Sequence, residues 1–288
     1  MFKNLNAQAA NIGENCDLYK TASLARASNF QGIDIDIGEI SAFAKNGLLE
    51  TMKAIIHSFD LQLGGWDLPT SWKGEDDNIY QTDLKHLQSL AALSQELNCT
   101  RAYTWVLPYS DTRSFKENYA WHVQRLQPIA RILETYNCQL ALEFVGTKTF
   151  RADHRYDFIH TLQGMLELCD ALGAKNVGLL LDSWHWYTSE GTVDDLKQLS
   201  VKEVIYVHVN DAPINTPLDR QIDTVRCLPG ETGIIDLVSF LTTLKELGYK
   251  GPVTPEPFSK KLENKTAPEA TRILEKALDK VWKLAELG

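Results

Sequence analysis

Eight times along this chain a short apolar or β-branched run is followed by a longer stretch of helical periodicity. No other feature restricts the fold as much. The runs are Leu5–Ile12, Gly32–Ile37, Leu61–Trp66, Arg101–Val106, Gln139–Val145, Val177–Asp182, Val204–Val209 and Pro252–Phe258. Between Asn78 and Asn98, Leu84, Leu87, Leu90, Leu93 and Leu97 recur three or four residues apart, which gives a helix one apolar face. Trp121–Asn137, Tyr156–Gly173, Ile235–Gly248 and Glu269–Gly288 read the same way. Strand alternating with helix implies right-handed βαβ units and a parallel sheet. No composition break or low-complexity linker divides the 288 residues. The pattern therefore predicts an α/β fold of one domain over residues 1–288, a closed (β/α)8 TIM barrel rather than an open doubly wound sheet.

Composition narrows the partners. The net charge of −9 argues against a nucleic-acid backbone, which needs clustered Lys and Arg. Five cysteines at scattered spacings form no CxxC pair, so neither a zinc knuckle nor a disulfide framework is suggested. The first twenty residues are too polar for a signal peptide, and no apolar run reaches membrane-spanning length. A cytoplasmic protein that binds neither membrane nor nucleic acid is expected. Its oligomeric state, a homo-oligomer included, is left open.

In barrels of this kind the chemistry sits at the C-terminal ends of the strands. There the sequence places Glu143 on the fifth strand, Asp182 on the sixth, His208 on the seventh and Glu256 on the eighth. Each is a lone ionisable group in an otherwise apolar run. Burying one unpaired carboxylate costs several kcal/mol, and three are prohibitive unless a cation neutralises them. Three carboxylates and one imidazole suit one hard or borderline divalent ion, Mn²⁺ foremost, with Mg²⁺, Co²⁺ or Zn²⁺ as alternatives. Four protein ligands in an octahedron leave two positions for substrate oxygens. No GxGxxG or phosphate-cradling loop is present, and no nucleotide cofactor is expected.

The order "LALEFVG", "NVGLLLDSWHWY", "VIYVHVNDAP", "RCLPGETGIIDL" and "TPEPF" resembles the xylose isomerase-like barrel superfamily of sugar isomerases and epimerases, nearest its inosose (2-keto-myo-inositol) isomerase branch. The resemblance covers about Gln139 to Phe258. It implies one divalent metal on Glu143, Asp182, His208 and Glu256. It also implies two substrate-binding residues: His185, from the Asp182-Ser-Trp-His185 motif, and Arg226, before a Pro-Gly turn that is longer here than in relatives. Trp105 and Trp66, with Trp72 nearby, are expected to present aromatic faces to a sugar or cyclitol ring. His57, His86, His122, His154 and His160 read as solvent-face or helix residues, although Lys148, Arg151 and His154 lie where they could reach a substrate phosphate or carboxylate.

The expected reaction is proton transfer beside a carbonyl, with Glu143 and Glu256 as the catalytic bases on opposite faces of the reacting carbon. Three other readings share some of these features. They are a lyase of inosose or dehydroshikimate dehydratase type on the same barrel, an endonuclease-IV-like nuclease, and a non-enzymatic sugar-binding subunit. The nuclease uses a histidine-rich trinuclear zinc site, to which seven histidines and a net charge of −9 are poorly suited.

Overall fold

A computed structural model describes residues 1–10, 12 and 16–287. The barrel strands are β1 (Phe2–Leu5), β2 (Gly32–Ile33), β3 in two pieces (Gln62–Leu63 and Trp66–Asp67), β4 (Arg101–Val106), β5 (Gln139–Phe144), β6 (Val177–Asp182), β7 (Val204–Val209) and β8 (Pro252–Pro255). Neighbours are parallel, and β8 pairs with β1. The first piece of β3 pairs with β2 and the second with β4. Gly64 and Gly65 join the pieces, so the chain itself closes the circle of eight positions. A Cβ on Gly64 would run into Asp34 Oδ1 and the Asn4 amide, so the strand bends inward only where no side chain stands.

Two of the predicted runs are displaced. The first strand is Phe2–Leu5, not Leu5–Ile12, whose Asn11 falls outside the described residues. Its polar Lys3 faces outward to Glu275 and Asp279 on the last helix, at 3.9 and 3.3 Å, while Asn4 faces the barrel interior. Tyr156–Asp157, read as the start of a helix, pairs instead with Tyr109–Ser110 as a small antiparallel ribbon.

Outside the strands lie α1 (Leu18–Ala27), α2 (Ile37–Lys45), α3 (Leu49–Ser58), α4 (Asp77–Glu96), α5 (Phe115–Thr135), α6 (Leu162–Ala171), α7 (Ser183–Thr188), α8 (Val193–Lys197), α9 (Leu237–Glu246) and α10 (Ala267–Leu284). A capping box of Ser114 and Glu117 starts α5 six residues before the predicted Trp121. Leu87, Leu90 and Leu93 of α4 are buried against the sheet, as their spacing predicts. No helix among the described residues is long and apolar enough to cross a membrane.

Candidate metal centre and active site

Strands β5 to β8 bring four ionisable side chains to one end of the barrel. Glu143 is the penultimate residue of β5, which is buried on both faces; it alternates inward with Ala141 while Leu142 and Phe144 face the helices. Asp182 closes β6, His208 lies on β7, and Glu256 directly follows β8. In register, His208 stands beside Asp182 on one side and Thr254 on the other, so these side chains leave the same face. One ligand atom from each of Glu143, Asp182, His208 and Glu256 lies within 4.8 Å of the others.

Three polar atoms of this set, on His208 and Glu143, are not satisfied by protein. Both ring nitrogens of His208 and Oε1 of Glu143 are buried with no hydrogen-bond partner. His208 Nδ1 stands 3.5 Å from Glu143 Oε1 and 3.4 Å from Glu256 Oε2, without the alignment a hydrogen bond needs. Orphaned buried groups of this kind cost about 1–3 kcal/mol each. Three carboxylates and an imidazole with free donor atoms fit a divalent ion, which would supply the missing partner to each.

Charge follows the same geometry. Burial pushes the Glu143 carboxyl above its ordinary range; His208 opposes this and Glu256 adds to it. Burial disfavours a charged His208, but Glu256 and Glu143 outweigh it and hold the imidazole well above its usual value. Without a metal, a protonated His208 thus joins Arg226 as a cation among these carboxylates. Asp182 behaves oppositely: burial is outweighed by Arg226, then by His185, and the carboxyl is held low.

The Asp182 carboxylate is fully engaged. Its Oδ1 accepts hydrogen bonds from the Trp184 N–H at 2.7 Å and Asn210 Nδ2 at 2.9 Å, and its Oδ2 accepts from Arg226 Nη1 at 2.8 Å. Arg226 also donates to Glu256 Oε2 and Asp223 Oδ1, each at 3.0 Å. The guanidinium expected at the substrate therefore grips the carboxylates themselves. Asn210 and Asp223 were not among the predicted site residues. Asn210 was within reach of the sequence, two positions after His208 and hence on the same strand face; Asp223 carried no comparable signal.

His185 faces the same centre. The Gly146 N–H donates to its Nδ1 at 3.3 Å, and Arg226 Nη2 approaches its Nε2 at 3.4 Å, so both ring nitrogens face donors. Nε2 lies 3.8 Å from Asp223 Oδ1 and 4.0 Å from Asp182 Oδ2. The tryptophans on either side turn away: Trp184 donates to Thr147 Oγ1 at 3.0 Å, and Trp186 to the Thr192 carbonyl at 3.2 Å. They anchor the short helix α7, and His185 between them is aimed inward.

With this geometry in place, comparison with known proteins identifies the family. The family model described as xylose isomerase-like TIM barrel matches residues 22–277. The chain belongs to that family. The inosose isomerase of Bacillus subtilis is 32% identical over 154 residues, and this match spans about half of each chain, 54% of this one and 52% of the other. The inosose isomerase of Bacillus velezensis is 24% identical over 93% of both chains. A solved structure of the IolI protein with a bound zinc atom superposes with a TM-score of 0.80 at 22% identity, covering 100% of this chain and 99% of that one.

Within this xylose isomerase-like barrel one expected substrate residue is misplaced. Trp66 is fully buried on the helix side of the sheet, its indole N–H donating to Ser94 Oγ and the Cys99 carbonyl, both at 2.9 Å. Alternation along β3 turns its neighbour Asp67 inward instead. Trp72 is buried too, donating to Thr104 Oγ1 at 3.3 Å. Trp105 is 39% exposed and is the register partner of Glu143, so it stands at the mouth. Two of the three basic loop residues are committed elsewhere, and Lys148 is exposed: Arg151 donates to the Gly146 carbonyl at 2.8 Å, and His154 pairs with Asp111 at 2.9 Å and stacks on Tyr109.

Proposed function

We propose that this chain is a divalent-metal-dependent isomerase or epimerase that moves a proton at the carbon beside a carbonyl of a sugar or keto-cyclitol. The observation that carries the reading is the buried four-donor set whose His208 nitrogens and Glu143 Oε1 lack any partner. Relatives named inosose isomerase support the substrate class.

Glu143, Asp182, His208 and Glu256 would hold the ion, with Mn²⁺ favoured by the excess of carboxylate donors. When bound, it supplies positive charge next to the substrate carbonyl. Glu143 and Glu256 do the proton work. They reach the centre from β5 and from the end of β8, with β6 and β7 between them. One carboxylate takes the proton as the C–H bond breaks, leaving an enediolate. For epimerisation the other returns a proton to the opposite face. For isomerisation it goes to the neighbouring carbon. His185, aimed at the centre from α7, orients the substrate hydroxyl, and Arg226 keeps Asp182 ionised and in place.

The test is turnover in heavy water with 2-keto-myo-inositol, a panel of ketohexoses and their phosphates, using metal-loaded protein. Deuterium at the product α-carbon is expected. Turnover with neither solvent exchange nor proton transfer between carbons sinks the mechanism, and a product lighter by one water identifies a dehydratase instead.

A further inference from the structure

One cation at the mouth has no role in the reaction described above. Lys73 lies in the loop between β3 and α4, and that loop is pinned. The Ser71 N–H donates to Asp83 Oδ2 at 2.7 Å, the Gly74 N–H to the Ser71 carbonyl at 3.0 Å, and Arg125 Nη2 to the Gly74 carbonyl at 3.1 Å. The preceding Trp72 is buried and packs against Trp121 and His122 at ring separations of 6.2 and 5.5 Å. From this fixed base the Lys73 side chain folds back over the mouth. Its Nζ stands 3.6 Å from the centroid of Trp105 and 5.4 Å from that of Trp72.

The placement is unusual for a lysine. Among the described residues, no ion pair and no hydrogen bond engages its ammonium, although the residue is half-buried. Burial lowers its pKa to about 8, with Asp67 and Glu143 opposing the shift. An ammonium carries three donors and no acceptor. Held on an aromatic face without an acceptor, it has a cation–π contact but unmet hydrogen-bonding capacity. Trp105 is the register partner of Glu143, so the unmet donors lie over the same mouth as the four-donor set. Arg226 reaches that set from the opposite quarter, beside Asp182 and Glu256.

What those donors would meet follows from the charges nearby. The carboxylates whose charge acts on Lys73 are Asp67 and Glu143; Asp67 also lines a cavity of about 320 Å³ bounded by Tyr103, Asp34, Asp36 and Glu39. A phosphate or carboxylate beside Lys73 would face the Asp67 and Glu143 carboxylates. An uncharged hydroxyl or carbonyl oxygen would not be repelled.

Resting on the isomerase reading, we propose that Lys73 is a substrate-positioning residue whose ammonium, fixed over Trp105, donates to a hydroxyl or carbonyl oxygen of an uncharged polyol or keto-cyclitol. The face of Trp105 near Lys73 is then not a bare stacking platform. A ring bound there lies edge-on to the ammonium or moves it.

The experiment uses the full chain with 2-keto-myo-inositol as probe, comparing wild type with Lys73→Met and Lys73→Arg. Loss of a charged hydrogen bond of this kind corresponds to about a ten- to hundredfold effect. Lys73→Met should raise KM about that much with kcat within about threefold. It should also weaken equilibrium binding to the metal-free protein, measured by calorimetry. Lys73→Arg, which keeps the charge, should restore much of the affinity. Equal melting temperatures for the three proteins would exclude a folding defect as the cause. Unchanged KM and binding in Lys73→Met overturns the proposal, and so does a loss confined to kcat. Wild type that neither binds nor turns over the probe overturns the isomerase reading on this substrate and this role with it, whereas wild-type binding and turnover with no defect in Lys73→Met overturns the role alone.

Discussion

Replacing Asp182 by Asn tests the candidate centre with almost no change of shape. The amide keeps an oxygen for the Trp184 and Asn210 donors but presents an NH₂ where Oδ2 accepted from Arg226 Nη1 at 2.8 Å. Donor then faces donor between two fully buried groups. Removing one partner of a buried ion pair typically costs about 3–5 kcal/mol. Arg226 retains Asp223 and Glu256, each at 3.0 Å, so about 2–3 kcal/mol is expected here. In a chain of this size that lowers the melting temperature of the metal-free protein by roughly 3–5 °C. Metal affinity should fall at least about tenfold, because loss of a ligand charge exceeds the effect of losing a group that merely orients a ligand. Calorimetric titration of Mn²⁺ into both proteins reads the affinity, and a thermal scan of the apo forms reads the stability. One equivalent of Mn²⁺ bound with wild-type affinity by the Asp182→Asn/His208→Ala double variant would place the metal elsewhere and refute the reasoning.

The other predictions use separate readouts. His185→Ala should cut turnover by roughly two to four powers of ten while metal content stays at the wild-type level, and a variant that fails to fold without a separable activity defect would make His185 a packing residue. Glu143→Gln and Glu256→Gln should each abolish deuterium incorporation from heavy water, and an epimerase that still exchanges with both changes in place does not use these carboxylates. His122 is buried among Trp72, Trp121 and Phe158, and burial lowers its pKa to about 4. Its unfolded value is higher, so the unfolded chain binds the extra proton, and stability is lost as pH falls from about 6.5 towards 4. The limiting loss is about 3 kcal/mol, and denaturant unfolding of His122→Phe should show a correspondingly flatter acid dependence than wild type.

How far the sequence revealed this molecule depended on where each residue finds its partners. The strands Arg101–Val106, Val177–Asp182 and Val204–Val209 stand as predicted, because each is a largely buried run of mostly apolar residues. Phe2–Leu5 was hidden because its polar members are satisfied at a distance, Lys3 by Asp279 and Asn4 by Thr254. Glu143, Asp182, His208 and Glu256 were readable as a set, since strand-end position is a local property and the barrel makes it a shared one. Trp66 was misjudged by a single step of alternation, which only the register with Ala102 decides. Asp223 and Lys73 could not be found, for their significance lies in contacts with Arg226 and Trp105, which come from other strands and loops.

The layer beneath the centre explains how His208 is held although neither ring nitrogen has a hydrogen bond. Barrel interiors are usually filled by branched apolar side chains, but here Asn4, Asp34, Tyr103, Tyr206 and Thr254 form a polar layer. The Asp34 carboxylate accepts from Asn4 at 2.8 Å, Asn6 at 3.0 Å, Tyr103 at 2.8 Å and Tyr206 at 2.7 Å. These bonds fix both phenol rings, which meet the His208 ring edge-on at centroid distances of 6.3 and 5.4 Å. Packing alone therefore sets the imidazole plane. An apolar layer would fill the same space, yet it could not lock two ring planes through one carboxylate. The cost is visible at Asp34, whose carboxyl burial pushes up even against its hydrogen bonds from Tyr206, Tyr103 and Asn4. Through the two tyrosines, a residue directly after β2 orients a candidate ligand on β7 and leaves that ligand's nitrogens free for a cation.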